Sequence, residues 1–401
     1  MTYKDCFILI KKYSALTFLW IFLTSTAPWI FYRWPGHPYK ILTAICLLFF
    51  VSLLSLKGSK LLIPQKIFFL LFVQIAFYFS MFIYHNDTAN LNLIIQLISF
   101  LITILYINSF LSFEIFIKSF IYIILITGIG GVIVFFYHLL IGVTPFFIVS
   151  YGGDNSFFLG LTTTNIFIDA GSIRMMRFAG FFDEPGTFGL YALFAIILNK
   201  IYFKNAIMEF SLIVITIFTF SMAFYFAIIA YIFLFYFNRK NMIGFFVFFS
   251  VVIILYLSLM NFDSPIANKI NEMSFSRLEE TSTDFSNSNR GELVINDFKL
   301  FKDNPILGVG YSNPKVSGSN FFSIFARFGI IGSLFYYLLF IYLFFVIIKI
   351  QSFYYFKFFL VLLISLLTRP EFSSLLSLLI FYTFIFYIEN LKHKQTYSSI
   401  P

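Results

Sequence analysis

Between Ile115 and Leu140 the chain reads IFIKSFIYIILITGIGGVIVFFYHLL, with Lys118 its only charge apart from a neutral His138. Crossing a bilayer core takes roughly 20 apolar residues in helical form, because every backbone N–H and C=O must be satisfied without water. This stretch is long and apolar enough to do so. Its like recurs to both ends of the chain.

Of the 401 residues, 60% are apolar, 23% aromatic and 11% charged. A soluble domain carries roughly 25% charged residues, so lipid must be part of the solvent here. Working outward from Ile115–Leu140, spans are expected near Tyr13–Phe31, Tyr39–Leu56, Lys66–Tyr84, Leu91–Ile107 and Thr187–Tyr202. Later ones follow near Ile207–Thr219, Met222–Phe237, Met242–Met260, Phe321–Ile348, Phe353–Leu367 and Phe372–Ile388. The whole chain, 1–401, thus reads as one integral membrane domain, all-α, a polytopic bundle of about 12 transmembrane helices. Lys11 and Lys12 precede a first apolar run too long and too bulky for a signal peptide, which is read as the first helix.

Twelve spans put both termini on one face. That face collects Lys4, Lys57, Lys118, Lys200, Arg239, Lys349 and Lys392 among 15 basic residues, against 4 acidic ones, and is therefore cytoplasmic. The other face holds 12 basic and 14 acidic residues. The formal net charge of +9 is then a topology signal and argues against nucleic acid as a partner. Cys6 and Cys46 suggest neither a disulfide nor a thiolate metal site. His37, His85, His138 and His393 have no partner at metal-ligand spacing, and neither a nucleophile elbow, a Walker loop nor a dinucleotide fingerprint is present.

Ionisable residues gather in two outer loops, 143–185 and 261–320, both long for connections in a helical protein. Seven of the eight arginines lie on the outer side. Lysine suffices to hold a loop inside, whereas the guanidinium fork grips phosphate or carboxylate at two points, so an anionic ligand outside is one reading. Pairing with the outer acids is the other.

The first loop ends in Arg177-Phe-Ala-Gly180-Phe-Phe-Asp183-Glu184-Pro185-Gly186. Pro185 suits a first helical turn and the carboxylates suit its positive end, but a capped helix does not explain Arg177 or Gly180. In the second loop, Asn289-Arg290-Gly291-Glu292 has capping-box spacing, which puts Arg290 at the first helical position, where a helix end favours phosphate. Val294, Phe298 and Phe301 follow at helical spacing and should rest this amphipathic helix on the membrane domain until Asn304-Pro305 ends it. Ile306-Leu-Gly308-Val-Gly310 then reads as a tight strand or turn. Arg327 falls two turns into the span opened by Asn320, a position that costs about 3 kcal/mol unless the charge faces a cavity, a partner or the interface. Arg369-Pro370-Glu371 marks the last outer turn, either as a self-neutralising pair or as part of a cavity lining.

Three of these segments, taken in order, resemble the O-antigen polymerase (Wzy-type) and ligase superfamily of bacterial membrane glycosyltransferases. They are Arg177 to Gly186, then Arg290 followed by Asn304-Pro305-Ile-Leu-Gly308-Val-Gly310, then Asn320 with Phe328-Gly329-Ile-Ile-Gly332. Ligases of the superfamily usually carry a histidine beside the asparagine that opens the late span, where this chain has Ser319, so the polymerase is the nearer resemblance.

The resemblance implies an undecaprenyl-diphosphate-linked oligosaccharide as substrate, en bloc glycosyl transfer at the outer face of the cytoplasmic membrane, and neither a metal nor another cofactor. It makes Arg177 and Arg290 the diphosphate grips, Glu184 and Asp183 the nearest candidates for a general base, and Gly180, Asn320, Arg327, Arg369 and Glu371 substrate-binding. A chain-length regulator and a flippase would be partners. A ligase, or a flippase of lipid-linked oligosaccharide, shares much of this pattern; against transport stand charges held in outer loops and halves without a repeat.

Overall fold

The computed structural model describes residues 65–110, 113–151, 154–170, 173–182, 184–237, 290–318, 320–368 and 374–398, with single helical positions between 240 and 258. The expected spans Tyr13–Phe31 and Tyr39–Leu56, most of Met242–Met260, and the outer stretch 259–289 lie outside the described residues.

Apolar helices stand where the other spans were expected. The first three are α1 (Gln65–His85), α2 (Ala89–Phe110) and α3 (Phe113–Leu140). After a sheet come α4 (Pro185–Leu198), extended by a π-helical turn Asn199–Phe203, then α5 (Ala206–Ile217) and α6 (Met222–Tyr236). The second half holds α7 (Arg290–Asp303), α8 (Phe321–Tyr336), α9 (Leu338–Ile350), α10 (Phe353–Thr368) and α11 (Leu375–Ser398). Among the described residues, three helices are long and apolar enough to cross a membrane, or four if α8 and α9, bent by 41°, form one span.

The all-helical expectation needs one correction. The first outer loop folds as an antiparallel meander of β1 (Phe147–Tyr151), β2 (Asp154–Phe158), β3 (Thr163–Ala170) and β4 (Ile173–Phe178), in spatial order 1-2-3-4. β-Branched and aromatic residues fill these strands, and pairs such as Phe157↔Thr164 and Ile168↔Met175 set the register. The ladder shifts between Thr164 and Phe167, where the Thr164 hydroxyl donates to the Arg177 carbonyl at 2.6 Å.

Helix α3 carries this sheet. Its 28 residues make it ~42 Å long, more than the ~30 Å of a hydrocarbon core. Gly131 faces the Phe178 ring, which a Cβ would meet at 2.3 Å, and Gly128 faces Ile215 of α5 at 2.5 Å. Small residues on α3 thus let β4 and α5 approach closely. Higher up, His138 is fully buried: its Nδ1 accepts the Val143 N–H at 3.1 Å, so Nε2 carries the proton and donates to the Ile168 carbonyl at 2.9 Å. A histidine without metal partners in sequence is a tie between helix and sheet.

Helix α4 is the core. Its residues from Ala192 to Leu198 are all buried, as expected of a helix that is apolar all round. Beside it, α5 and α6 have 12 and 15 residues, ~18 and ~23 Å, and their turn at Phe218–Ser221 stops short of a full crossing. Asn205 caps α5 through the Met208 N–H at 3.1 Å.

Candidate functional site

The sequence-derived residues fall into two groups. The first surrounds the start of α4. Arg177, near the end of β4 and 6% exposed, donates from Nε to the Thr219 carbonyl at 3.1 Å. That carbonyl lies in the turn at which the short α5–α6 hairpin reverses, so the guanidinium is held below the sheet and above the hairpin tip.

Gly180 adopts φ +60°, and a Cβ there would meet the Phe188 ring at 2.6 Å. Its carbonyl accepts the Thr163 N–H at 2.7 Å and the Thr162 and Thr163 hydroxyls at 3.2 Å each. Glycine is therefore required for the chain to pass from β4 into α4.

Glu184 occupies the N-cap position of α4 in extended conformation, followed by Pro185. Its carbonyl accepts the Thr187 and Phe188 N–H groups, while its side chain makes no capping bond. Asp183 lies outside the described residues.

Two helix starts meet here. Gly189 on α4 lies against the start of α6: a Cβ would be 3.3 Å from the Ser221 Oγ and 3.0 Å from the Phe224 Cβ. Ser221 caps α6 by accepting the Phe224 N–H at 3.4 Å. Helix starts carry partial positive charge, so two of them and a guanidinium bias this recess toward an anion. A narrow crevice runs from the same point between α4, α6 and α10, lined by Gly186, Gly189 and Leu193, by Ala223 and Ala227, and by Ser365.

The second group surrounds α7 and α8. Helix α7 begins at Arg290 and ends at Asp303, before Asn304-Pro305 as the sequence implies; the Arg290 side chain and Asn289 lie outside the described residues. Phe298 meets the ring of Phe322 at 5.1 Å and Phe301 that of Phe325 at 5.5 Å, so α7 and α8 run side by side in the same direction.

Asn320 is the N-cap of α8, its Oδ1 accepting the Phe322 N–H at 2.9 Å. Its amide nitrogen donates to Asp297 at 2.6 Å and to the Ser317 hydroxyl at 3.0 Å. Asp297, fully buried, also accepts the Ser317 N–H at 3.0 Å and its hydroxyl at 2.5 Å. Sequence reasoning passed over Asp297, since an aspartate mid-helix on a polar segment looks solvated.

Helix α8 breaks at Gly329, where φ is +64° and ψ −168°. The turn after α7 fills the break: Ile330 and Ile331 donate to the Pro305 and Ile306 carbonyls at 2.8 and 3.3 Å, and Val309 and Gly310 donate to those of Ala326 and Arg327 at 2.8 and 3.0 Å. The segment of Gly308 and Gly310, expected as a tight strand or turn, is thus engaged in backbone pairing.

Arg327 stands near the end of α1: its carbonyl accepts the Gly310 N–H, and Gly310 lies against His85 and Asp87. Its guanidinium carbon is 4.8 Å from the centre of the Tyr311 ring, a cation–π contact. Arg369 and Glu371 lie outside the described residues.

A family sequence model described as O-antigen ligase matches residues 206–337, about a third of the chain. The match takes in α5 to α8 and with them Arg290, Asn320 and Arg327, while Arg177, Gly180 and Glu184 precede it. No curated protein and no solved structure matches the chain. Over these residues the chain is similar to the O-antigen ligase family, and its apolar helices are those of a membrane protein.

Proposed function

We propose that this chain polymerises undecaprenyl-diphosphate-linked repeat units into surface polysaccharide, O-antigen or capsule, at the outer face of the cytoplasmic membrane. The growing glycan passes en bloc to a sugar hydroxyl of the next lipid-linked unit. That oxygen attacks the anomeric carbon, the bond to the lipid diphosphate breaks, and the diphosphate leaves with the electron pair.

One observation carries this reading: Arg177 is bonded to the turn that leads into α6, and the start of α6 lies against the first turns of α4, so a guanidinium and two helix starts come together. A lipid diphosphate needs fixed positive charge for its head. Arg177 and Arg290 stabilise the charge that grows on the leaving diphosphate. Glu184, at the N-cap position of α4, takes the acceptor proton in this scheme, with Asp183 beside it in sequence. Arg369 and Glu371 keep, in this scheme, the substrate-binding role that the resemblance implies. No metal or other cofactor has a role in this scheme.

Ligation of finished polymer onto a lipid acceptor is the second reading, and the description of the matching family favours it. Ser319 beside Asn320, in place of the ligases' histidine, favours the polymerase. A deletion strain complemented with the native chain, Arg177→Ala or Arg290→Ala at matched membrane levels distinguishes them on a glycan gel. Polymerase activity predicts a ladder with the native chain and single repeats with each variant. Long polymer left unattached in the deletion strain would replace polymerase by ligase, and repeats stranded on the cytoplasmic side would replace it by transport.

A further inference from the structure

We propose that Asp297 is a positioning residue that locks α7, and with it Arg290, onto the start of α8. This rests on the reading of Arg290 as a diphosphate grip.

The turn after α7 pins its C-terminal end to α8 through backbone bonds, but toward Arg290 the helix has fewer directional ties. One side rests on α8 through Phe298 and Phe301, while Ile295 is 66% exposed and Lys299 and Lys302 point outward. Aromatic contacts permit sliding and rotation; a carboxylate with directional donors does not. Asp297 is the fully buried carboxylate on this helix, and it takes two bonds from Ser317 and one from Asn320.

Asn320 completes the lock by spending its oxygen on the first turn of α8. One side chain thereby ties the α8 cap to α7. Arg290 stands seven positions before Asp297, two helical turns along the same side of α7, so rotation about the helix axis at Asp297 would re-aim Arg290. Enclosed and fully bonded, Asp297 does not touch substrate. Asn320 belongs to this lock and not to the sugar.

The reciprocal exchange tests the pairing. In Asp297→Asn with Asn320→Asp, the new amide at 297 donates to the new carboxylate at 320, which still accepts the Phe322 N–H. Cross-linking of Phe298→Cys with Phe322→Cys, in full-length membrane protein whose Cys6 and Cys46 are serine, reports whether α7 stays docked. Turnover of the lipid-linked repeat, measured on the same changes without the cysteine pair, reports KM and kcat.

Asp297→Ala should slow cross-linking several-fold and raise the KM about tenfold, a loss the size expected for a misplaced binding group. The exchange should bring both back to within about threefold of the parent. If Asp297→Ala does not accumulate, Ser317→Ala removes one donor and carries the same comparison. Unchanged cross-linking in these variants overturns the lock, and so does a fall in kcat alone at constant KM. Slower cross-linking with unchanged KM and kcat overturns the role of Arg290 while the docking function of Asp297 stands.

Discussion

Gly308 and Gly329 each face the main chain of the segment that carries the other: a Cβ on Gly308 would stand 2.4 Å from the Arg327 carbonyl carbon, and one on Gly329 2.3 Å from that of Ile306. Both have positive φ, +70° and +64°. The glycine spacing that drew attention in sequence is thus the imprint of two backbones in contact, in a broken helix whose lost hydrogen bonds are remade by a neighbouring turn.

Gly308→Ala and Gly329→Ala should each cost about 2 kcal/mol or more, since left-handed strain adds to a collision with rigid backbone. Gly310→Ala carries the same backbone strain, with φ +99°, but should cost less, because its Cβ would meet only side chains, the His85 ring at 3.5 Å and the Asp87 Oδ2 at 3.7 Å. Thermal unfolding in detergent checks the order; equal melting temperatures for all three would show that the contact is not rigid.

Arg177→Lys should retain folded protein and lose polymer nearly as fully as Arg177→Ala. An ammonium keeps the charge but not the planar fork, whose Nε binds the Thr219 carbonyl. Turnover should fall about 100-fold in both, as when a transition-state donor is removed. A lysine variant with wild-type ladders would reduce Arg177 to a general positive charge.

At the end of the α5–α6 hairpin opposite its turn, Glu209 of α5 is buried and accepts the Tyr231 hydroxyl at 2.7 Å, the Tyr236 hydroxyl, and Lys200 at 3.2 Å. Glu209→Ala strands a lysine and two hydroxyls and should cost about 3 kcal/mol; Tyr231→Phe should cost about 1 kcal/mol. The cluster fixes the base of the hairpin whose tip meets Arg177, so activity should fall together with the melting temperature.

Asp87, in the turn between α1 and α2, titrates below the ordinary carboxylate value of 3.8. Burial pushes its pKa up, but bonds from the Ser312 backbone and hydroxyl and from the Ala89 and Tyr311 backbones outweigh it. A depressed folded pKa gives stability that is present above the unfolded value and lost as pH falls through the folded one. Asp87→Asn should therefore be less stable than the parent at pH 7, with the gap closing below about pH 4. Parallel melting curves down to pH 3 check this.

How much of this was legible in sequence differs by element. The helices α1 and α3 follow directly from apolar runs, and the end of α7 from Asn304-Pro305. The sheet left a fainter trace: Gly152-Gly153 and Gly171-Ser172 stand between the strand pairs, and Asn165-Ile-Phe-Ile-Asp169 between polar threonines and a turn. Within a chain so rich in aromatics, these short strands resemble the ends of helices, and their pairing partners lie on neighbouring segments that hydropathy does not read.

By itself, the sequence determined the membrane character and the order of most helices, because burial in lipid and backbone geometry act on contiguous residues. Tertiary structure alone decided that Arg177 meets Thr219, 42 positions away, that Gly308 meets the α8 break, and that Asp297 is enclosed by Ser317 and Asn320. Those relationships depend on which helices are short and which are broken. Such lengths and breaks are settled by hydrogen bonds between distant segments, and no local pattern records them.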